Sequence, residues 1–331
     1  MLYCGIDEAG LGPILGPLVT SAVAFRVTDA APGEDVNLWD RLRDAVAEKP
    51  GRKESRIAIG DSKKLFKRKV KNGLAPLERG VLGSLLAKIA TDPSPSDLPA
   101  TLADLLNTVA PGSMEFARTY PWYGECNLPL PHAADTMGME LAANALRVSM
   151  RQRGVELLLM RAEPIFTREF NRRVAITDNK AAVTTELTTR RILDLYTALP
   201  YPHLNITVDR QGGRTHYREI LQRVFMDASM KVHGEADEQS SYTLTNPDGR
   251  IVDITFRTKA ENHSLPVALA SMLSKYLREL CMELFNRFWA ERHEGLAPTA
   301  GYYTDGKRFL KDIEPDIAAL NLPKELYHRS R

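Results

Sequence analysis

Four acidic residues stand where apolar runs end or turn: Asp7 and Glu8, then Asp209, then Glu261. Brought to one point, they would form a set of hard oxygen donors. Hydrolysis of a phosphodiester by two divalent ions needs such a set. One ion activates the attacking water and the other stabilises the leaving oxygen, with the pair about 3.5–4 Å apart. Mg²⁺ or Mn²⁺ suits these donors, and no His/Cys cluster at zinc spacing competes with them. Carboxylates held together repel one another, so their convergence would itself imply bound cations. Spacing alone leaves the alternative open: the chain has 42 acidic residues, and four of them ending elements could be unrelated loop carboxylates.

The elements that must position these acids are legible as periodicities. Residues 2–6 read as a short buried strand broken by the Gly/Pro-rich loop 7–13, and residues 18–25 as a second strand beside it. Residues 205–209 read as a buried strand ending in a carboxylate, followed by a Gly212-Gly213 turn and a helix over 217–225. Two runs, 240–245 and 250–257, flank Asn246-Pro247-Asp248-Gly249 as a hairpin that leads to Lys259-Ala260-Glu261. The clearest helix opens with Pro266 in its first turn. It places Leu269, Met272, Leu273, Tyr276, Leu280, Leu284 and Trp289 at helical spacing. Ala268, Ala270 and Ser271 are small enough for it to approach a sheet closely. Helical patterns are also predicted over 137–153, 180–198 and 309–320, and a strand over 155–160. Asp61 or Ser62 could cap a basic helix through Lys63–Lys69, continuing to residue 89 with a break near 73–76. Residues 28–61 are mixed, 92–99 read as a loop, and 111–131 as irregular.

The 331 residues suit one large domain with insertions, or two domains. A hydrophobic fraction of 44% and a charged fraction of 26% are ordinary for a globular chain. The net charge of +2 is nearly neutral, so any attraction for phosphate must come from local patches. Cys4, Cys126 and Cys281 are far apart and show no CxxC pairing, which fits free thiols in a reducing compartment. The apolar stretch 13–25 follows an acidic pair rather than a basic segment, unlike a secretion signal. No apolar run is long enough to span a bilayer. The expected location is the cytoplasm, with no membrane partner.

The local sequences around the acids narrow the choice. Gly5-Ile6-Asp7-Glu8-Ala9-Gly10-Leu11-Gly12-Pro13, followed by Gly16-Pro17, resembles the opening motif of the type 2 ribonucleases H (ribonuclease HII). Asp61-Ser62-Lys63-Lys64-Leu65 is identical to the second signature of that family. Val208-Asp209, Gly212-Gly213 and Tyr217 resemble its third-carboxylate segment in the archaeal and eukaryotic form. Lys259-Ala260-Glu261 resembles its Lys-Ala-Asp. Residues 270–279 resemble the following helix, and Gly301-Tyr302-Tyr303-Thr304-Asp305 resembles Gly-Tyr-Pro-Ser-Asp. Six segments occur in family order, over roughly the first 75 and last 130 residues.

The resemblance implies an α/β fold of the ribonuclease H type, a mixed sheet flanked by helices. It also implies cleavage of RNA in RNA–DNA hybrids or of DNA containing ribonucleotides, with two Mg²⁺ or Mn²⁺ ions. By position, Asp7, Glu8, Asp209 and Glu261 would be the catalytic and metal-binding residues, with Glu261 one methylene longer than the family's Asp. Gly10, Leu11 and Gly12 would form the substrate loop near the ribose 2′-OH, where glycine permits close backbone approach. Ser62, Lys63 and Lys64 would face phosphate, and Tyr302 would pack on the sugar beside the scissile bond.

Two departures stand out. Leu11 occupies the place of a phosphate-contacting Arg, a charge that Arg210 or Arg214 could replace. Residues 90–178 have no clear counterpart, so a catalytic domain over 1–331 is expected to carry an insertion there and a substrate-side extension over 291–331. Tyr120, Trp122 and Tyr123 in that middle stretch are either base-stacking aromatics or local core. His263 and His216 read as surface residues before catalytic ones, and Glu279 as a structural partner for a nearby base. The departures also leave a second reading: a ribonuclease H-like nucleic-acid-binding protein with altered or lost catalysis.

Overall fold

The computed structural model describes all residues except 32, 50, 52–54, 90–97, 211 and 331. Residues 92–97 of the expected 92–99 loop therefore lie outside the described residues.

In chain order the elements are β1 (Leu2–Ala9), β2 (Leu18–Val27), α1 (Leu38–Arg41), β3 (Val46–Ala47), β4 (Ile57–Ala58), α2 (Ser62–Leu65), α3 (Ala75–Ile89) and α4 (Leu102–Val109). Then come α5 (Ser113–Ala117), α6 (Thr136–Gln152), β5 (Val155–Ile165), α7 (Thr167–Thr177), α8 (Lys180–Ala198), β6 (His203–Asp209), α9 (Arg218–Val224), β7 (Ser229–Glu235), β8 (Gln239–Thr245) and β9 (Ile251–Arg257). A 3₁₀ turn, Ala260–Asn262, leads into α10 (Leu265–Ala290), and α11 (Tyr303–Asp312), α12 (Glu314–Ala319) and α13 (Lys324–Tyr327) close the chain.

The main sheet is mixed and has the order β5-β2-β1-β6-β9-β8-β7. β1, β6 and β9 run parallel at its centre, and the remaining neighbours pair antiparallel. The fold is thus the mixed, helix-flanked α/β sheet that the sequence leads one to expect.

Strand alternation divides the two faces. Leu2, Cys4 and Ile6 of β1 pack with Leu204, Ile206 and Val208 of β6 against α8 and α9. The odd positions of β1 face α10, which lies across β1 and β2 and is covered in turn by α3. Gly5 lets the two approach: a methyl there would sit 2.1 Å from the Val267 nitrogen. Gly5→Ala must push α10 off the sheet, at a cost of about 3 kcal/mol. A urea titration should show that loss; a variant of wild-type stability would mean that β1 and α10 are not in this contact.

Several elements differ from the sequence pattern. β1 continues through Ala9, so Asp7 and Glu8 lie within a paired strand rather than in the loop beyond it. α2 stops at Leu65, and residues 66–74 turn before α3 begins. The predicted 309–320 helix starts earlier, at Tyr303, and breaks at Ile313, where Pro315 opens α12. β7 and α7 had no distinct sequence signal. Within the 90–178 stretch, β5 pairs with the whole length of β2. Tyr120, Trp122 and Tyr123 are buried against Phe166, Phe285 and Trp289, so they are core aromatics and not a base-stacking surface. Cys4, Cys126 and Cys281 are free and buried. No helix among the described residues is long and apolar enough to cross a membrane.

Candidate active site

The parallel register pairs Ile6 with Val208, which puts Asp7 and Asp209 level on neighbouring strands. Both lie on the α10 side, because each follows a residue that packs on the α8–α9 side. Glu8 alternates to the opposite face.

Asp7 is held from beneath by α10. Its carboxylate accepts from the Glu8 backbone N–H at 2.7 Å and from the Ser271 hydroxyl. The Ser274 hydroxyl bonds to the Asp7 carbonyl at 3.2 Å and contacts Ser21 at 2.8 Å. Ser62 is buried and lies 3.0 Å from the Ser271 hydroxyl, so the structure places it under Asp7 rather than on a phosphate-facing surface. Burial, reinforced by the charges of Glu8 and Asp209, raises the Asp7 pKa well above the usual carboxylate range.

Asp209 accepts the Ala260 N–H at 2.9 Å, which ties the end of β6 to the turn that carries Glu261. Burial pushes its pKa up to about 6; the Ala260 bond opposes this, Glu261 adds to it, and Lys63 opposes it. Glu261 is half-buried, and its Oε2 is buried without a hydrogen-bond partner. Asp61 caps α2 through the Lys63 N–H and pairs with Lys64 Nζ at 3.0 Å. Lys63, one residue away, is thereby aimed near Asp209.

The donors are hard oxygens, two carry raised pKa values, and one is a buried oxygen with no partner. These properties fit divalent cations. Among the described residues, no three His, Cys, Asp or Glu side chains are already drawn together as a metal-ligating group. The four acids are thus not gathered into one preformed cluster: Asp7 and Asp209 share a face, and Glu8 alternates away from it.

A pH dependence follows from Asp209. Its folded pKa of about 6 lies above the unfolded value of 3.8. The stability it contributes is fully present below about pH 3.8 and is lost as pH rises through about 6. Asp209→Asn should therefore stabilise the metal-free protein at pH 8 by about 1–2 kcal/mol, allowing for partial exposure, and the gain should fade below pH 5. Thermal unfolding in EDTA across this range measures it; a gain that grew toward acid pH would contradict the assignment.

The glycine loop beside the acids is fixed by two buried arginines. Arg278 of α10 donates to the carbonyls of Pro17, Leu15 and Ala300. Arg329 donates to the Gly10 and Leu11 carbonyls, and its guanidinium sits 3.9 Å from the Phe170 ring centroid. Gly10 is required here: its φ is +96°, and a methyl would lie 2.8 Å from the Arg278 side chain and the Pro17 carbonyl. The Ile14 and Leu15 N–H groups both donate to the Gly301 carbonyl, which brings exposed Tyr302 to the edge of the same loop.

Leu11 is half-buried against an apolar group that includes Leu18, Ile165, Phe170 and Val174. Of the two arginines that could replace the missing charge, Arg210 donates to the Ala236 and Asp237 carbonyls. Arg214 instead borders the same cavity as Leu11 and Gly12. Glu279 is paired with Arg68 and Lys275, the structural role its position suggests. His263 and His216 are exposed.

The chain is similar to ribonucleases HII and HIII of known structure. Ribonuclease HII from Archaeoglobus fulgidus, solved with PCNA, is 18% identical; the match covers 100% of this chain and 95% of that one at a TM-score of 0.41. Ribonuclease H2 from Pyrococcus horikoshii OT3 is 14% identical, with coverage of 99% and 92% and a TM-score of 0.45. Bst-RNase HIII is 14% identical, with coverage of 98% and 65% and a TM-score of 0.46. At these values the likeness assigns no residue and no reaction. No protein-family model and no curated protein matches the chain.

Four supports of the site had weak signals or none in the sequence. Ser271, Ser274 and Arg278 recur at i, i+3 and i+7 on a mainly apolar helix, and this polar stripe is a weak sign of a buried polar function. Arg329, far away in a basic tail, carries no such sign.

Proposed function

We propose that this chain is a metal-dependent endonuclease of the ribonuclease H type, cutting the RNA strand of RNA–DNA hybrids or DNA at embedded ribonucleotides. The observation that carries the reading is the pairing of Asp7 with Asp209. The two lie level on adjacent parallel strands and on one face, and the Asp7 pKa is raised in part by the charge of Asp209. Asp7, Glu8, Asp209 and Glu261 would hold two Mg²⁺ or Mn²⁺ ions, which supply an activated water and stabilise the leaving oxygen. The chain's own residues do the rest. Ser271 and the Glu8 N–H fix the Asp7 carboxylate, Ala260 fixes that of Asp209, and Lys63 adds positive charge beside it. The Gly10–Gly12 backbone and Tyr302 would meet the ribose, with Lys64 on the phosphate side.

Leu11 favours a second reading, in which the protein binds such duplexes without cutting them, because an apolar side chain stands where a phosphate-contacting cation is expected. Incubation with a hybrid and with a duplex bearing one ribonucleotide, in Mg²⁺ or Mn²⁺, separates the two. Cleavage supports the nuclease. Binding without cleavage under any divalent ion supports the second reading, and absence of both overturns the two together.

A further inference from the structure

On the α8–α9 side of the sheet, a cavity of about 640 Å³ opens beside Asp209. Leu11, Val208, Leu221 and Phe256 give it apolar walls. Tyr217 also lines it, with its ring stacked on Phe256 at a centroid distance of 3.6 Å and an interplanar angle of 2°. The Tyr217 side chain is more than nine-tenths buried, yet its hydroxyl has no hydrogen-bond partner. Two glycines border the opening without the fold requiring them. Neither Gly12 nor Gly213 has a positive φ, and a methyl on either would meet nothing within 4 Å. Arg214 and Lys180 border the same opening.

These features select an occupant. Apolar walls with aromatic rings suit a flat heterocycle, and the two cations suit an attached phosphate. A bare phosphate would leave the apolar walls unused, and an acyl chain would leave the cations unused. The volume is that of a small-molecule site and does not admit a duplex. We propose that this cavity receives a single nucleotide turned out of the substrate strand beside Asp209, with its base against the Tyr217–Phe256 wall and its phosphate toward Arg214. Leu11 is then a wall of the base site, which gives an apolar residue a use at that position. This proposal rests on the reading of the chain as a protein that binds nucleic-acid duplexes.

Turning a base out is easier when its pairing partner is missing. The test measures affinity for a hybrid with an abasic residue opposite each nucleotide next to the ribonucleotide, against the fully paired hybrid, and separately for AMP alone. In the wild type one abasic position should tighten binding about tenfold. Thr185 also lines the cavity, and Thr185→Trp, which fills it, should remove that gain; circular dichroism and thermal unfolding check that the variant folds. Arg214→Gln removes the phosphate partner at an exposed position, serves if the tryptophan variant fails to fold, and should weaken AMP binding about fivefold. If the hybrid binds equally with or without pairing, or gains equally in wild type and both variants, the cavity proposal is wrong while duplex binding stands. If no hybrid binds but AMP does, and the variants lose it, the cavity takes a free nucleotide and the duplex reading is wrong. If neither binds, both readings fall.

Discussion

Asp7→Asn is expected to reduce hybrid cleavage by at least about a thousandfold, equivalent to ~4 kcal/mol of barrier, while making the metal-free protein more stable. The two effects share one cause. Asp7 is buried, and its charged form is opposed first by desolvation and then by Glu8 and Asp209. An amide in its place can still accept the Glu8 N–H and the Ser271 hydroxyl, so the local structure has no reason to change. It removes the charge that a divalent ion would need. The stability gain should be largest above neutral pH and fade toward acid, where Asp7 is itself protonated. Cleavage assays in Mn²⁺ and unfolding in EDTA measure the two separately. Activity that survived the substitution would remove Asp7 from the site, and a destabilised variant would mean that the carboxylate is stabilised by something other than an added cation.

The second large effect is expected far from the acids in sequence. Arg329 is fully buried, and burial together with the nearby Arg278 pulls its pKa down to about 9. It is retained in that setting by the carbonyls of Gly10 and Leu11, and its own N–H donates to Ile14 O at 2.9 Å. Arg329→Met keeps the length and removes the donors, leaving two carbonyls without a partner. The lost hydrogen bonds outweigh the relief of the desolvated charge, and a net loss of about 2–3 kcal/mol in stability is expected. Whatever protein remains folded should also bind the hybrid more weakly, because the loop that meets the ribose is no longer fixed. Unfolding midpoints and hybrid affinity measure the two. A variant with wild-type values in both would show that the tail is dispensable and that the loop holds itself.

The sequence carried the parts of this site that repeat locally. Short apolar runs bounded by Gly, Pro or a carboxylate marked β1, β2 and β6, and helical spacing marked α8 and α10. The 180–198 helix was read with the bounds it has. Asp7 and Asp209 were placed at strand ends, although β1 in fact runs past Asp7. What was not legible depends on contacts between distant segments. Nothing near Arg329 indicates that it closes on Gly10, 319 positions away. Ser62 looked like a surface residue because its partner, Ser271, is 209 positions further on. The aromatic group at 120–123 was ambiguous for the same reason: contacts with Phe166 and with Phe285 and Trp289 of α10 make it core. The edge strand β5 was read only in part, because its pairing with β2 and not its composition carries it to Ile165.

The central place of β1 also bears on how the molecule moves. Strands at the margin of a sheet, with fewer covering contacts, open first, and central strands open only with the whole fold. β1 is flanked by β2 and β6 and covered by α10, while β7 lies at the margin with half its residues exposed. Amide hydrogens of residues 4–8 should therefore exchange with solvent only through global unfolding, and those of β7 long before. The repulsion among the acids is thus confined to the last part of the molecule to yield. The hairpin edge can fray and re-form repeatedly without letting Asp7 and Asp209 drift apart.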